Sequence, residues 1–325
     1  MFLGKGNIAR PTAVLKQSGR AFLMPIAARF ARLRRGMRRH LLYAAAPEWA
    51  AIAMDADAIV EAADFRTVKD EAKTRAGAAT IGGREIFIKR FETRSWADGL
   101  MERIRGSRAA RSLKGAALLA DAGFARPAPL AALEIRSAAS VRASYLISEM
   151  LSGARTLSQF VDRRFGPAPR DFRWRREVSR RVAAEVRRLH DAGLYGSDLQ
   201  ETNLMLEQGR DGLSIYFVDL DGFRRTRSVP WRRRERNLIQ LDRSVGRFLS
   251  RTERTRFLYD YLGGRPERDR ARELVAGLLE HSARKEREYQ RRRERRGRSD
   301  IAANAARGTL SDVAGTKSAD NRGGS

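Results

Sequence analysis

The chain is 325 residues long, enough for one two-lobed domain or two small domains with cores of their own. It carries 66 Lys+Arg against 39 Asp+Glu, a formal net charge of +27 that favours anionic partners: nucleic acid, an anionic membrane or phosphorylated ligands. Without cysteine there are no disulfides or thiolate metal sites, and three histidines leave little scope for a histidine-rich zinc centre.

Residues 1–20 show no periodicity and are expected to be mobile. The patch "AFLMPIAA" is interrupted by Pro25 and followed by arginines, so it lacks the long apolar core of a secretory signal. No run approaches the ~18 uncharged apolar residues of a transmembrane helix. Together these predict a cytoplasmic protein. Residues 25–44 read as an amphipathic helix, because Ile26, Phe30, Leu33, Met37 and Leu41 recur at steps of four, three, four and four. Arginines 29, 32, 34, 35, 38 and 39 occupy most of the remainder. Such a helix either packs on the domain with a solvated basic face or docks on an anionic bilayer, where each basic group near the surface adds about 1 kcal/mol.

From about residue 64 the pattern turns to strands. "FRTVKD", "AATI" and "REIFIKRF" are extended candidates, and Gly82-Gly83 between the last two is a two-residue hairpin signal. Residues 107–121 read as a helix closed by Gly123, and "LAALEI" and "ASYLISEML" as two further strands. The first half is thus predicted to be a small sheet with one helix inserted after its third strand. In the second half Trp174, Val178, Val182, Val186 and Leu189 mark a helix that stops at Gly193. "NLMLEQGRDGLSIYFVDL" reads as a strand, a turn and a strand, and helices follow from about 233 to 280. Residues 284–298 are strongly basic, and the small polar residues after 300 predict disorder.

Four features that bear on chemistry follow one another along this frame. Lys89 ends the apolar strand "IFIKRF", where its ammonium can reach phosphates in a cleft or simply lie in water above a packed stem. "LISEML" leaves the sheet around Glu149 and Leu151, exposing backbone donors and acceptors that can meet an adenine edge; alone, it is a strand running into a linker. "SDLQETN" sets Asp198 five positions before Asn203, a spacing that suits a carboxylate orienting an acceptor hydroxyl and an oxygen ligand for magnesium. "IYFVDLDGF" brings Asp219 to the end of an apolar strand, where a carboxylate is costly to bury without a cation or donor. The hairpin between Asn203 and Asp219 is expected to bring the two together on one magnesium. Asp221 either shares that face or serves as a spare ligand. Taken singly each feature is weak, but their order is that of a two-lobed protein-kinase-like fold of class α+β, a small antiparallel-sheet lobe with one helix followed by a mainly helical lobe.

Within that fold the chain resembles the lipopolysaccharide kinase (Kdo/WaaP) family, bacterial kinases that phosphorylate heptose or Kdo sugars of the lipopolysaccharide inner core. "GGREIFIKRF", "LLADAGFARPAPLAALE", "SYLISEML", "RLHDAGLYGSDLQETNLML", "IYFVDLDGFRR" and "RNLIQLDRS" carry the likeness over roughly residues 64–260. The resemblance implies ATP and magnesium as cofactors, Lys89 on the phosphates, Asp198 as the catalytic aspartate, and Asn203 and Asp219 as metal ligands. Along the whole chain the reading is a basic N-terminal extension with an amphipathic helix over 1–60, kinase-like lobes over 61–150 and 151–283, and a basic helix and disordered tail over 284–325. The implied substrate is the core glycolipid, met by a protein peripheral on the inner face of the cytoplasmic membrane. Nucleic acid is disfavoured as a partner because the basic runs flank the fold and no reading module is present. Oligomeric state has no signature here.

Three departures bear on activity. Gly196 stands where kinases place a histidine two positions before the catalytic aspartate. The inserted helix, "SRAARSLKGAALLADAG", contains no glutamate to pair with Lys89, although Glu102 lies just upstream. No GxGxxG occurs between the first two strands, leaving "KDEAKTRAGAAT" to cover phosphates with backbone and basic side chains. The competing expectation is a catalytically impaired pseudokinase or scaffold with weak or absent magnesium-dependent ATP binding.

Overall fold

The computed structural model describes residues 29–32, 38–137, 139–161, 172–210 and 212–264, together with scattered helical positions between 273 and 294. The chain forms two compact units, Met1–Leu249 and Ser250–Ser325. The first is a mixed α/β unit built on one seven-stranded sheet. Its strands are β1 (Arg29–Arg32), β2 (Arg38–Ala44), β3 (Arg66–Glu71), β4 (Thr74–Ile81), β5 (Arg84–Glu92), β6 (Pro129–Arg136) and β7 (Val141–Glu149), in the spatial order β1-β2-β6-β7-β5-β4-β3. All neighbours are antiparallel. The β4–β5 hairpin turns where predicted, with Gly82 and Gly83 at φ of 57° and 76°, the paired positive values that match strand twist in a two-residue loop.

Strand alternation sorts the side chains onto two faces. On one, Ile86 and Ile88 of β5 are buried with Leu133, Tyr145 and Ile147. They pack against Trp49 and Ala53 of α1 (Pro47–Met54) and Ala56 and Val60 of α2 (Ala56–Glu61). Between β5 and β6 run α3 (Trp96–Arg105) and α4 (Arg108–Asp121), each opened by a serine cap, Ser95 and Ser107. On the second face Phe91, Ala132 and Leu146 are buried with Ala109 and Leu113 of α4. Each fully buried aliphatic side chain contributes about 1.5–3 kcal/mol, so the sheet is held from both sides. Lys89 has the parity of Phe91 and therefore leaves the sheet on the α4 side.

Two sequence expectations are corrected here. Arg29–Arg32 and Arg38–Ala44 are strands and not parts of an amphipathic helix; the rest of 25–44 lies outside the described residues, as does 1–24. The physical reason lies in the run "HLLYA", which is apolar on consecutive positions. β2 pairs with β6, Leu41 opposite Leu133, and distributes that run over both faces: Leu41 and Ala44 pack on the first cluster, Leu42 and Tyr43 on the second. Moreover, two helices follow the hairpin's second strand where one was expected, and α1 and α2 precede β3.

After β7 the chain continues through β8 (Arg155–Thr156), α5 (Leu157–Val161), α6 (Phe172–Asp191), β9 (Leu194–Gly196), β10 (Leu204–Gly209), β11 (Gly212–Phe217), β12 (Phe223–Arg225) and α7 (Trp231–Val245). α6 buries Val178, Val182, Val186 and Leu189, the stripe read from the sequence, and the chain turns away at Gly193. β10 and β11 form the expected hairpin, extended by β8. β9 and β12 pair as a separate ladder with Gly196 opposite Phe223. In the second unit, α8 (Arg251–Leu262) opens with a capping box between Ser250 and Glu253 and ends at Gly263 in the left-handed conformation. The tail after 300 lies outside the described residues.

Candidate active site

Two loops carry the acidic residues singled out above, and each is fastened at both ends. Residues 197–203 run between β9 and β10, and residues 218–222 between β11 and β12. The β10–β11 hairpin joins them on one side, continued by a bond from the Val218 amide to the Asn203 carbonyl at 3.0 Å. The β9–β12 ladder joins them on the other, continued by a bond from the Ser197 amide to the Gly222 carbonyl at 3.0 Å. The loop that carries Asp198 and Asn203 is thereby held alongside the loop that carries Asp219.

Lys89 meets this cluster from the sheet, its Nζ 3.3 Å from Asp219 Oδ1, with both side chains part-buried. This settles which carboxylate pairs with Lys89. Glu102 is not that partner: its carboxylate accepts from the Arg108 amide at 3.2 Å and lies 3.5 Å from Arg111. Asp221 is engaged by a different cation, Arg108, whose Nε donates to its Oδ2 at 2.9 Å. Arg108 also bonds Thr74 of β4 at 3.0 Å and stacks over Phe91 of β5, so it ties the hairpin, α4 and the Asp219 loop together.

Asp219 has φ 58° and ψ 58°, and is the sole residue other than glycine with positive φ among the described residues. A left-handed conformation at a non-glycine residue costs of order 1–3 kcal/mol and is kept where the surroundings over-determine it. Here the surroundings are α4 and the ladder. Gly115 of α4 packs so tightly on this loop that a Cβ there would stand 1.9 Å from the Leu220 carbonyl oxygen.

The Asp198 carboxyl is held above the ordinary aspartate range, first by burial and then by the negative charge of Asp219, with Glu201 adding to it; Arg236 and Lys69 oppose the shift. Asp198 Oδ2 accepts from Gln200 Nε2 at 3.1 Å, and Asn203 Nδ2 donates to the Asp198 carbonyl at 3.0 Å. Asp198 Oδ1, Asn203 Oδ1 and Asp219 Oδ2 accept no hydrogen bond among the described residues. Two carboxylates and an amide oxygen are hard donors of the kind magnesium takes, and a cation would relieve the repulsion between the aspartates. Among the described residues no three His, Cys, Asp or Glu side chains gather into a metal cage. A magnesium held here would therefore rest on few protein ligands, leaving positions for waters and phosphate oxygens, its ordinary habit.

Glu149 and Leu151 stand apart from this cluster. Glu149 ends β7, donates its amide to the Ala128 carbonyl at 3.0 Å and bonds Arg84 through its side chain. The Leu151 carbonyl accepts from the Ala154 amide in the following turn.

The residues that brace the Asp198 loop went unassigned in the sequence, although they lie within the quoted "RNLIQLDRS". Gln240 of α7 straddles Asp198: its Oε1 accepts from the Leu199 amide at 3.1 Å and its Nε2 donates to the Ser197 carbonyl at 2.9 Å. Asn237 donates from Nδ2 to the Gly196 carbonyl and to Gln240 Oε1, both at 2.8 Å. Buried His190 lies 3.1 Å from Asn237 Oδ1, and burial pushes its pKa down to about 4, so the neutral ring donates that bond. A brace therefore reaches the loop from α6 and α7 in place of a side chain at Gly196. Asn237 and Gln240 are three apart on one helix face, a spacing that marks them out only once the loop they meet is known.

This constellation is that of a phosphotransferase, and the chain belongs to the lipopolysaccharide kinase (Kdo/WaaP) family, whose description matches residues 53–261. Membership of that family makes it a kinase, a transferase of lipopolysaccharide biosynthesis, and implies ATP use. Among solved structures it is similar to "WaaP in complex with acyl carrier protein", with a TM-score of 0.56 and 25% sequence identity over 76% of this chain and 97% of that one. No curated protein sequence matches the chain. No helix among the described residues is long and apolar enough to cross a membrane.

Proposed function

We propose that the protein transfers the γ-phosphoryl group of ATP, with magnesium, to a hydroxyl of heptose or Kdo in the lipopolysaccharide inner core. What supports this reading is the Lys89–Asp219 contact, made where the loop that carries Asp219 is fastened at both ends to the loop that carries Asp198 and Asn203. In the two-lobed kinase-like arrangement, the sheet up to β7 covers the nucleotide and the helical part beyond it presents the acceptor. Asp198 orients the acceptor hydroxyl and receives its proton as the oxygen bonds to phosphorus and the bond to ADP breaks. Its raised proton affinity suits a group that must take up that proton. Asn203 and Asp219 would hold the metal, which would supply positive charge against the phosphates. Lys89 exchanges its present partner for phosphate oxygens, and the backbone at Glu149 and Leu151 meets the adenine edge. The reaction takes place with the protein peripheral on the inner face of the cytoplasmic membrane.

Transfer of label from [γ-32P]ATP to lipopolysaccharide core precursors tests this reading. The wild type should label the glycolipid in a magnesium-dependent manner, and Asp198→Asn should lose about 10²–10⁴-fold of the rate, the usual share of base catalysis. Transfer that survives Asp198→Asn intact removes that residue from the mechanism. A wild type that labels no core precursor sinks the substrate assignment.

A further inference from the structure

An amphipathic helix on the surface of a domain normally turns its apolar side inward. α3 does the reverse. It presses Gly99 against the start of β7, so closely that a Cβ would stand 2.4 Å from the Val141 carbonyl oxygen. The solvent-facing surface of the helix carries Trp96, Met101 and Ile104, which are 57%, 40% and 70% exposed. Those three are half of the six large apolar side chains exposed among the described residues, gathered on one ten-residue helix.

Charge around this face is one-sided. The two acids of α3 are taken up by cations from other elements, Asp98 by Lys73 at 3.0 Å and Glu102 by Arg111 at 3.5 Å. Arg103 and Arg105 are exposed and form no ion pair among the described residues. Beside the apolar face, Met101 and Arg105 also line a cavity of about 670 Å³ whose wall sets four arginines, Arg108 among them, and Lys73 against three acids, Glu92, Asp98 and Glu102. Arg108 in turn holds Asp221, two residues past Asp219.

We propose that α3 docks the protein onto an anionic lipid bilayer, with Trp96, Met101 and Ile104 in the interfacial layer and Arg103 and Arg105 on acidic headgroups. Apolar side chains flanked by unpaired arginines are what such a surface binds, and the net charge of +27 adds long-range attraction. The cavity beside the helix, on balance basic, then opens at headgroup level, next to the loop that carries Asp219. This docking face is independent of the acceptor's identity.

Sedimentation of the full chain with phosphatidylglycerol-containing and phosphatidylcholine-only vesicles tests the proposal. The wild type should pellet with the anionic vesicles and much less with the neutral ones. Met101→Asp/Ile104→Asp should weaken pelleting by at least about tenfold, because it removes apolar area from the contact. Arg103→Gln/Arg105→Gln should weaken it about fivefold per arginine at low salt. Met101→Leu/Ile104→Leu should restore it, and because the positions are exposed all variants should keep the wild-type melting temperature. Wild-type pelleting by the aspartate variant overturns the proposal. So does a wild type that ignores vesicles and binds a small acidic protein through the same side chains.

Discussion

Asp198 is positioned by a residue that never touches the reacting atoms. Gln240 holds the carbonyl before it and the amide after it, so the aspartate is fixed through its own backbone. Gln240→Ala leaves both groups without that partner, which should cost about 1–3 kcal/mol of stability in denaturant titration. Because the loss falls on orientation, kcat should drop by about 10–100-fold while KM for ATP changes little. A pure stability defect would instead leave kcat per folded molecule unchanged. His190, at the far end of the same network, gives the fold a pH dependence. Its folded pKa of about 4 lies below the ordinary histidine value of 6.5, so the unfolded chain binds the proton more readily. The stabilisation is complete above pH 6.5 and is lost as the pH falls towards 4, with a limiting slope of about 1.4 kcal/mol per unit. Melting temperatures should fall across that window in the wild type, and less steeply in His190→Gln, which keeps a donor for Asn237 without the titrating ring.

At the level of elements, α4 takes over a task that its sequence seemed to leave undone. It has no glutamate to offer Lys89, and none is used. The helix fastens itself to the Asp219 loop directly, through Arg108 on Asp221 and through Gly115 on the Leu220 carbonyl. Lys89 reaches the same loop from β5, so sheet, helix and loop meet at one point. Gly115→Ala tests the contact with a single methyl group. Its Cβ would overlap a backbone oxygen that sits in a 3-10 turn and cannot swing aside, so α4 must move. The expected cost is about 1–3 kcal/mol in the denaturant midpoint, the range for overpacking. Transfer activity should fall further than the folded fraction does, because the displaced loop carries Asp219. Wild-type activity in a folded Gly115→Ala protein would show that the loop tolerates the shift.

For the molecule as a whole, the sequence was most informative where pattern and partner agree. The β4–β5 and β10–β11 hairpins, α4 and α6 follow from turn residues and apolar spacing that tertiary packing reinforces. That the hairpin sets the loop of Asn203 beside the loop of Asp219 was legible for the same reason, since a hairpin must return the chain. Gln240 and Asn237 were not, because a polar pair on an amphipathic helix has no period to mark it and acquires meaning from the loop it meets. α3 escaped notice because its apolar side faces away from the core, the opposite of what periodicity assumes. The helix reading failed at Arg38–Ala44 because "HLLYA" can continue a helical stripe or form a doubly buried strand, and only the open edge of β6 decides between them. That pairing has a consequence in time. β2 is made early, yet its partner β6 lies about ninety residues later, and at typical synthesis rates of about 5–20 residues per second it waits roughly 5–20 s for that partner. Throughout that interval β1 can cover one edge of β2, but the edge of Leu41–Ala44 that β6 will take stays open, so the nascent chain is most open to chaperone capture, or to aggregation, before its sheet can close.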